Sequence, residues 1–238
     1  WKKIIISVVA ITVVFAGVFY FTSTKGKKTV VSYVNPAFGE YISSFTSGII
    51  SSGSVLRIEL AQDAVDSALL GETSVKLFDF SPYVQGKTFW IDTRTVEFRP
   101  EGRLLSGQIY EAGFRLSALL DVPQELSTFD FTFQVIPQNF EVSIENVKPY
   151  IKTDLKRQKI EGILYTADFA ESESGEKSMN AQQEGKSLKI TWSHAAEGKQ
   201  HVFTVEDVAR TENASKVALK IDGKSLGISQ TKDEEVEI

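Results

Sequence analysis

Hydrophobic and polar positions fall into two patterns along this chain. The first is an unbroken apolar run, Ile4 to Phe21 (IIISVVAITVVFAGVFYF), eighteen residues without a charge. As an α-helix at about 1.5 Å per residue it would reach roughly 27 Å, close to the hydrocarbon thickness of a bilayer. Trp1 and Tyr20 stand near its two ends, flanked by Lys2 and Lys3 on one side and Lys25, Lys27 and Lys28 on the other, as at membrane interfaces. Ser7 and Thr12 can return their hydroxyls to the helix backbone. A cleaved signal peptide would have an apolar region of about 7–15 residues ending in a small-x-small site. Here the run ends Val18-Phe19-Tyr20-Phe21, so the pattern predicts a retained membrane helix, followed by a polar linker from Thr22 to Lys28.

Beyond Thr29 the second pattern, alternation with period two, takes over. Leu56, Ile58 and Leu60 alternate with Arg57 and Glu59; Val96 and Phe98 with Glu97 and Arg99; Phe129, Phe131 and Phe133 with Thr128, Asp130 and Thr132. Val75, Leu77 and Asp79 share one face of a further candidate strand, with Lys76, Phe78 and Phe80 on the other. Each run is bounded by Gly, Pro, Asp or Ser, which marks half-buried strands. Asp92-Thr93-Arg94 reads as a tight hairpin, and Ala61 to Leu70 is the one stretch that could form a short helix. Pro137 closes this first set, and Asn139 to Val147 opens a second. That set includes Leu188–Trp192, Val202–Val205 and Val217–Ile221, with Glu171 to Gly185 expected as a long exposed hairpin loop. The fold class expected is all-β: two immunoglobulin-like β-sandwiches behind one N-terminal transmembrane helix. The divisions are 1–28 for anchor and linker, 29–137 for the first sandwich and 138–238 for the second, with Trp90 and Trp192 buried in different cores. Asp233 to Ile238 has the form of a strand entering, so a continuation past Ile238 is expected.

Charge and composition narrow the setting. The formal charge is −5, and setting aside the five lysines beside the apolar run leaves residues 29–238 at −10. An acidic body without a basic stripe argues against nucleic acid and anionic lipid surfaces as partners. The chain has no cysteine, so no disulfide framework and no lipidated cysteine are available. The lysine count is nearly balanced across the span. The simplest topology is a single-pass inner-membrane protein with a short cytoplasmic start and a periplasmic body, its membrane partner engaged through Ile4–Phe21.

No chemical motif survives its own requirements. Gly86-Lys87-Thr88, Gly185-Lys186-Ser187 and Gly223-Lys224-Ser225 lack the earlier glycine of a phosphate-cradling loop; Ser81, Asn180 and Ala218 stand there. Ser174-Gly175-Glu176-Lys177 matches serine-x-x-lysine without the partner motifs of penicillin-recognising enzymes. His194 and His201, with Glu197 between them, could meet across a hairpin, but three zinc ligands are the norm, and two surface histidines in one loop are the expectation. Glu171, Glu173 and Glu176 lack calcium-loop spacing. Asn213-Ala214-Ser215 is a glycosylation sequon, incidental in a bacterial setting. Trp90, Tyr110, Phe129, Phe131 and Trp192 lie at strand periodicity and read as core. No catalytic, cofactor-binding or metal residue is assigned.

A resemblance enters with Phe80-Ser-Pro82, Gly86-Lys87, Trp90, Asp92-Thr-Arg-Thr95, Phe98-Arg-Pro100, Leu105-Ser-Gly107 and Tyr110. Together they resemble the Ig-like module near the start of the α2-macroglobulin family of Bacteroidetes-type bacteria. Phe129 to Val147 and Ile160 to Ala167 are similar to the junction and first strands of that family's next, macroglobulin-like domain. The resemblance implies a large, membrane-anchored envelope protein that faces the periplasm and traps proteases. It implies a bait region and, in many members, a cysteine–glutamine thioester. Neither transfers here, because there is no cysteine and no segment identifiable as bait. The expectation is a non-catalytic N-terminal portion of such a protein. The alternatives are an Ig-like structural or interaction subunit of an envelope complex and, third, an enzyme.

Overall fold

The computed structural model describes residues 34–151 and 153–238. The expected helix Ile4–Phe21 lies outside the described residues; among those described, no helix is long and apolar enough to cross a membrane. The described chain is all-β apart from one short α-helix and several 3-10 turns.

Nine strands come first: β1 (Ile42–Phe45), β2 (Gly48–Ile50), β3 (Leu56–Leu60), β4 (Gly71–Thr73), β5 (Phe78–Ser81), β6 (Gly86–Trp90), β7 (Thr95–Pro100), β8 (Ile109–Phe114) and β9 (Phe129–Val135). They form two sheets, ordered β1-β3-β7-β6-β4 and β2-β9-β8-β5, which share one core. Alternation dictates which face is buried. Leu56, Ile58 and Leu60 point inward from β3, and Phe129, Phe131, Phe133 and Val135 from β9. The core is aromatic: Phe38 and Phe45 meet the Phe129 ring edge-on at 4.9 Å, and Phe80 tilts against Phe98 at 4.7 Å across the sheets. Burying each such side chain contributes about 1.5–3 kcal/mol. The hairpin at Asp92 joins β6 to β7, its Oδ1 accepting the Arg94 and Thr95 amides at 2.8 and 2.7 Å. Those bonds fix the turn that the sequence pattern marks.

Two local expectations fail in this half. Ala61–Leu70 makes only a single 3-10 turn, Ser67–Leu69, whose amide at Ala68 is capped by Asp66. Asp63, Asp66 and Ser67 offer the backbone local partners that compete with a longer helix, and no apolar stripe opposes them. The shared face proposed for Val75, Leu77 and Asp79 is also wrong: Val75 is exposed, while the consecutive Leu77 and Phe78 are both buried. The strand begins only at Phe78, so alternation does not govern the residues before it.

The second half contains β10 (Phe140–Ile151), β11 (Asp154–Thr166), the helix α1 (Ser172–Lys177), β12 (Met179–Gln183), β13 (Lys186–Leu188), β14 (Ile190–His194), β15 (Gln200–Ala209), β16 (Lys216–Asp222) and β17 (Thr231–Glu237). Its sheets are ordered β10-β11-β15-β14 and β13-β12-β16-β17 around a separate, mostly aliphatic core. Ile160, Leu164, Phe203, Val205, Val217 and Leu219 are fully enclosed. Gly162 sits mid-strand in β11 because a Cβ there would run into the Phe203 ring and the Ser143 carbonyl. Trp90 is buried in the first core, and Trp192 packs half-buried against the second. The acidic stretch toward Ile238 is β17, paired with β16 from Lys216↔Glu237 to Asp222↔Thr231.

Glu171 to Gly185 corrects the expected exposed loop. It holds α1 and then β12, whose Met179, Ala181 and Gln183 are buried against β16. Gln183 reads as solvated yet is held inside by the Ala209 backbone, giving 2.8 Å to its carbonyl and accepting its amide at 2.9 Å. Leu188–Trp192 is likewise not one strand. The chain changes sheets at Lys189, between β13 and β14.

Candidate functional site

The most elaborate polar construction lies where the two cores meet. Asp168, 3% exposed, follows β11 and projects into the loop after β2. Its Oδ1 accepts the Ser51 hydroxyl at 2.6 Å and its Oδ2 the Ser52 amide at 2.6 Å. Burial alone would raise the carboxyl, but the bonds from Ser51 and Ser52 outweigh it and hold its pKa below the ordinary aspartate value. The linker is tied to the same point. Gln138 donates to the carbonyls of Asp168 and Phe169, each at 3.0 Å, and accepts the Asp168 amide at 2.9 Å. Arg103, from the first half, lies over the Phe169 ring at 3.2 Å and 3.8 Å from Glu171. Both halves thus close on residues 168–171, and a hydrogen-bonded carboxylate buried between two cores resists relative movement.

The same stretch continues into α1, which rests on the β14–β15 hairpin. His194 and His201 are register partners there, their Nδ1 atoms 2.8 Å apart. His194 Nε2 lies 3.0 Å from Glu176 Oε1 on α1, and its ring stacks on Trp192. His201 is fully buried beneath Gly175, where a Cβ would come within 3.3 Å of its Nδ1. Its Nε2 has no hydrogen-bond partner. Burial lowers the His201 pKa, the neighbouring His194 lowers it further, and the Gly198 carbonyl works the other way. The expectation of two surface histidines in a loop is therefore corrected. Both strands run to the turn and bring the rings together, and the carboxylate that meets them is Glu176 rather than Glu197.

The remaining sequence candidates take structural places. Gly86-Lys87-Thr88 is part of β6, Gly185 turns between β12 and β13, and Gly223-Lys224-Ser225 forms a 3-10 turn. Ser174 to Lys177 is helical, not a loop as expected, and Lys177 pairs with Glu173 at 2.6 Å. Glu171, Glu173 and Glu176 diverge to Arg103, Lys177 and His194. Among the described residues no cluster of three His, Asp or Glu side chains could hold a metal ion. Sequence reasoning missed Asp168, Gln138 and Glu97. Glu97 is buried on the outer face of β7 between Arg57 and Arg99; burial pushes its pKa up, and the two guanidiniums bring it below the usual value.

No family model matches the sequence, and no curated protein matches it. Among solved structures, the titin Ig tandem domains A164-A165 align over 87% of this chain and 95% of theirs at 10% identity, with a TM-score of 0.30. L,D-transpeptidase 3 from Mycobacterium tuberculosis, in complex with a faropenem-derived adduct, aligns over 74% of this chain and 79% of its own at 10% identity and a TM-score of 0.31. Likeness at that level assigns neither family nor activity to this chain.

Proposed function

We propose that this chain is the non-catalytic, membrane-held N-terminal portion of an α2-macroglobulin-like envelope protein. Its two immunoglobulin-like sandwiches, 29–137 and 138–238, serve as a stiff spacer and docking base in the periplasm, and protease trapping belongs to the whole protein. The observation that carries this reading is the junction: a buried Asp168 bonded to Ser51 and Ser52, with the Gln138 linker folded back on the same residues. A spacer needs its modules held at a set angle, and that is what such a joint supplies. The histidines bond to each other and to Glu176 and have no serine hydroxyl as partner, which fits no nucleophilic mechanism. The test mixes the purified chain with a broad-specificity protease and follows a large and a small substrate. The chain alone leaves both cleaved and hydrolyses neither itself; selective shielding of the large substrate, or intrinsic peptide hydrolysis, overturns the proposal. Anchoring by Ile4–Phe21 predicts that the protein stays with membranes through carbonate extraction.

A second reading, an Ig-like interaction subunit of an envelope complex unrelated to proteases, is favoured by one feature. The tip of the β10–β11 hairpin exposes Ile151 (62%) and Leu155 (50%) together. A natural polypeptide carrying a bait-like segment downstream favours the first reading; one ending near Ile238 favours the second.

A further inference from the structure

Residues 167–177 form a strap with a different attachment at each end. At one end Asp168 and Phe169 hold the first half of the molecule through Ser51, Ser52 and Arg103. At the other, α1 is fastened to the β14–β15 hairpin. There the Ala170 amide donates to the Gly198 carbonyl at 2.8 Å, Gly175 seats on the His201 ring, and Glu176 meets His194. Gly198 has φ +63°, and a Cβ on it would strike Phe169, so the turn carrying the histidines is fitted to the strap.

The hydrogen-bond directions follow from the partners. Glu176 accepts, so His194 carries its proton on Nε2 and presents a bare Nδ1. His201 therefore donates from Nδ1, which leaves its buried Nε2 as an unpartnered lone pair. This neutral arrangement has no place for another proton. If His194 takes one on Nδ1, two N–H groups would face each other at 2.8 Å unless the His201 proton moves to Nε2, a buried atom that makes no hydrogen bond. If His201 takes it on Nε2, a fully enclosed imidazolium results.

We infer that the Glu176–His194–His201 chain is a proton-operated latch: uptake of one proton by the histidine pair releases α1 from the hairpin and slackens the strap across the junction. The Gly198 carbonyl favours the charged His201 ring, but it already accepts the Ala170 amide and is outweighed by burial and by His194. The charged groups on the surrounding elements do not provide an alternative partner for that proton. On α1, Glu173 and Lys177 pair with each other. On the turn, Lys199 lies 3.8 Å from Asp168, and Glu197 is its only other charge. On the 3-10 turn at 223–226, Lys224 lies 3.9 Å from Asp222. On β11, the residue registered opposite His201 is the apolar Leu164.

The sign follows from the lowered His201 pKa. The released form binds the proton better, so the latch is complete above the ordinary histidine value of about 6.5 and weakens as pH falls through that value toward the lower folded one. Asp168, depressed below 3.8, keeps its charge throughout this window. Release by mild acid is thus separate from acid loss of the junction carboxylate.

The test uses the full chain. Histidine ring resonances are titrated by NMR between pH 7.5 and 5, and exchange of the Ala170, Gly175 and Ser178 amides is followed after correction for intrinsic rates. Opening of these amides should increase about tenfold per pH unit below roughly 6.5, as expected for one linked proton, while amides of β3 and β7 stay flat. His201→Gln should abolish the pH dependence. Should that variant fail to fold, His194→Gln, at the less buried ring, should reduce the dependence and leave the part set by the burial of His201. Flat strap protection in the wild type overturns the latch, and so does a pH dependence unchanged in His201→Gln, one unchanged in His194→Gln, or a His201 that titrates at its ordinary value.

Discussion

The two halves of the molecule bury different chemistry. The first core is built on phenylalanines, from Phe38 through Phe133, and its buried polar residues are few: Ser52, Thr88 and Glu97. The second has Phe140 and Phe203 among aliphatic side chains, but it encloses Gln158, Thr166, Asp168, Ser178, Gln183 and His201. Apolar burial is non-directional and indifferent to pH, whereas a buried polar group contributes only while its partner is present and correctly protonated. The first half should therefore behave as a plain mechanical block and the second as one whose firmness depends on conditions.

The strongest way to break the comparison is to empty the aromatic core. Trp90→Ala or Phe129→Ala should each cost about 3–5 kcal/mol, from lost burial plus the cavity left behind, read from urea midpoints. A loss under about 1 kcal/mol would show that the first half does not depend on its rings. Gly162→Ala attacks the second half by crowding instead. The added methyl meets the Phe203 ring and a backbone carbonyl, and roughly 1–3 kcal/mol should be lost. Asp168→Asn retains the shape and removes the charge that accepts from Ser51 and Ser52, also at a cost of about 1–3 kcal/mol. Because that carboxyl is depressed in the folded state, the difference between Asp168→Asn and wild type should shrink as pH falls through its folded value. A difference that stays constant down to pH 2 would mean the bonds to Ser51 and Ser52 do not require the charge.

The smallest effect sharpens the contrast. With Trp90 in one core and Trp192 stacked on His194 in the other, Trp90→Phe and Trp192→Phe variants, each combined with Trp1→Phe, make fluorescence report each half separately. Between pH 7 and 5 the Trp192 signal should shift and the Trp90 signal should not. A shift at Trp90 of equal size would erase the distinction.

What could be read in the sequence follows the same division. In β3 and β9 hydrophobic alternation alone fixes the buried face, in β7 it fixes the core-facing Val96 and Phe98 but not the buried Glu97, and Asp92 marks its turn. Where burial rests on satisfied polar groups, composition misleads: Ser178 and Gln183 look like solvated loop residues, yet each is enclosed and hydrogen-bonded. His194 and His201 could be brought to one hairpin by their spacing, but their burial under Gly175 depends on α1, which the sequence pattern does not announce. Asp168 and Gln138 carry no local signal, since their partners lie 117 and 30 residues away.

The central claim is that the two halves are held at one angle by the Asp168 junction. The chain has no cysteine, so spin labels can be placed cleanly at Tyr83→Cys, an 81% exposed site in the first half, and Lys224→Cys in the second. Pulsed electron–electron distance measurements at pH 7.5 should give one narrow distribution, which broadens when Asp168→Ala is added. A distribution that is already broad without that substitution, or one unchanged by it, would contradict the account.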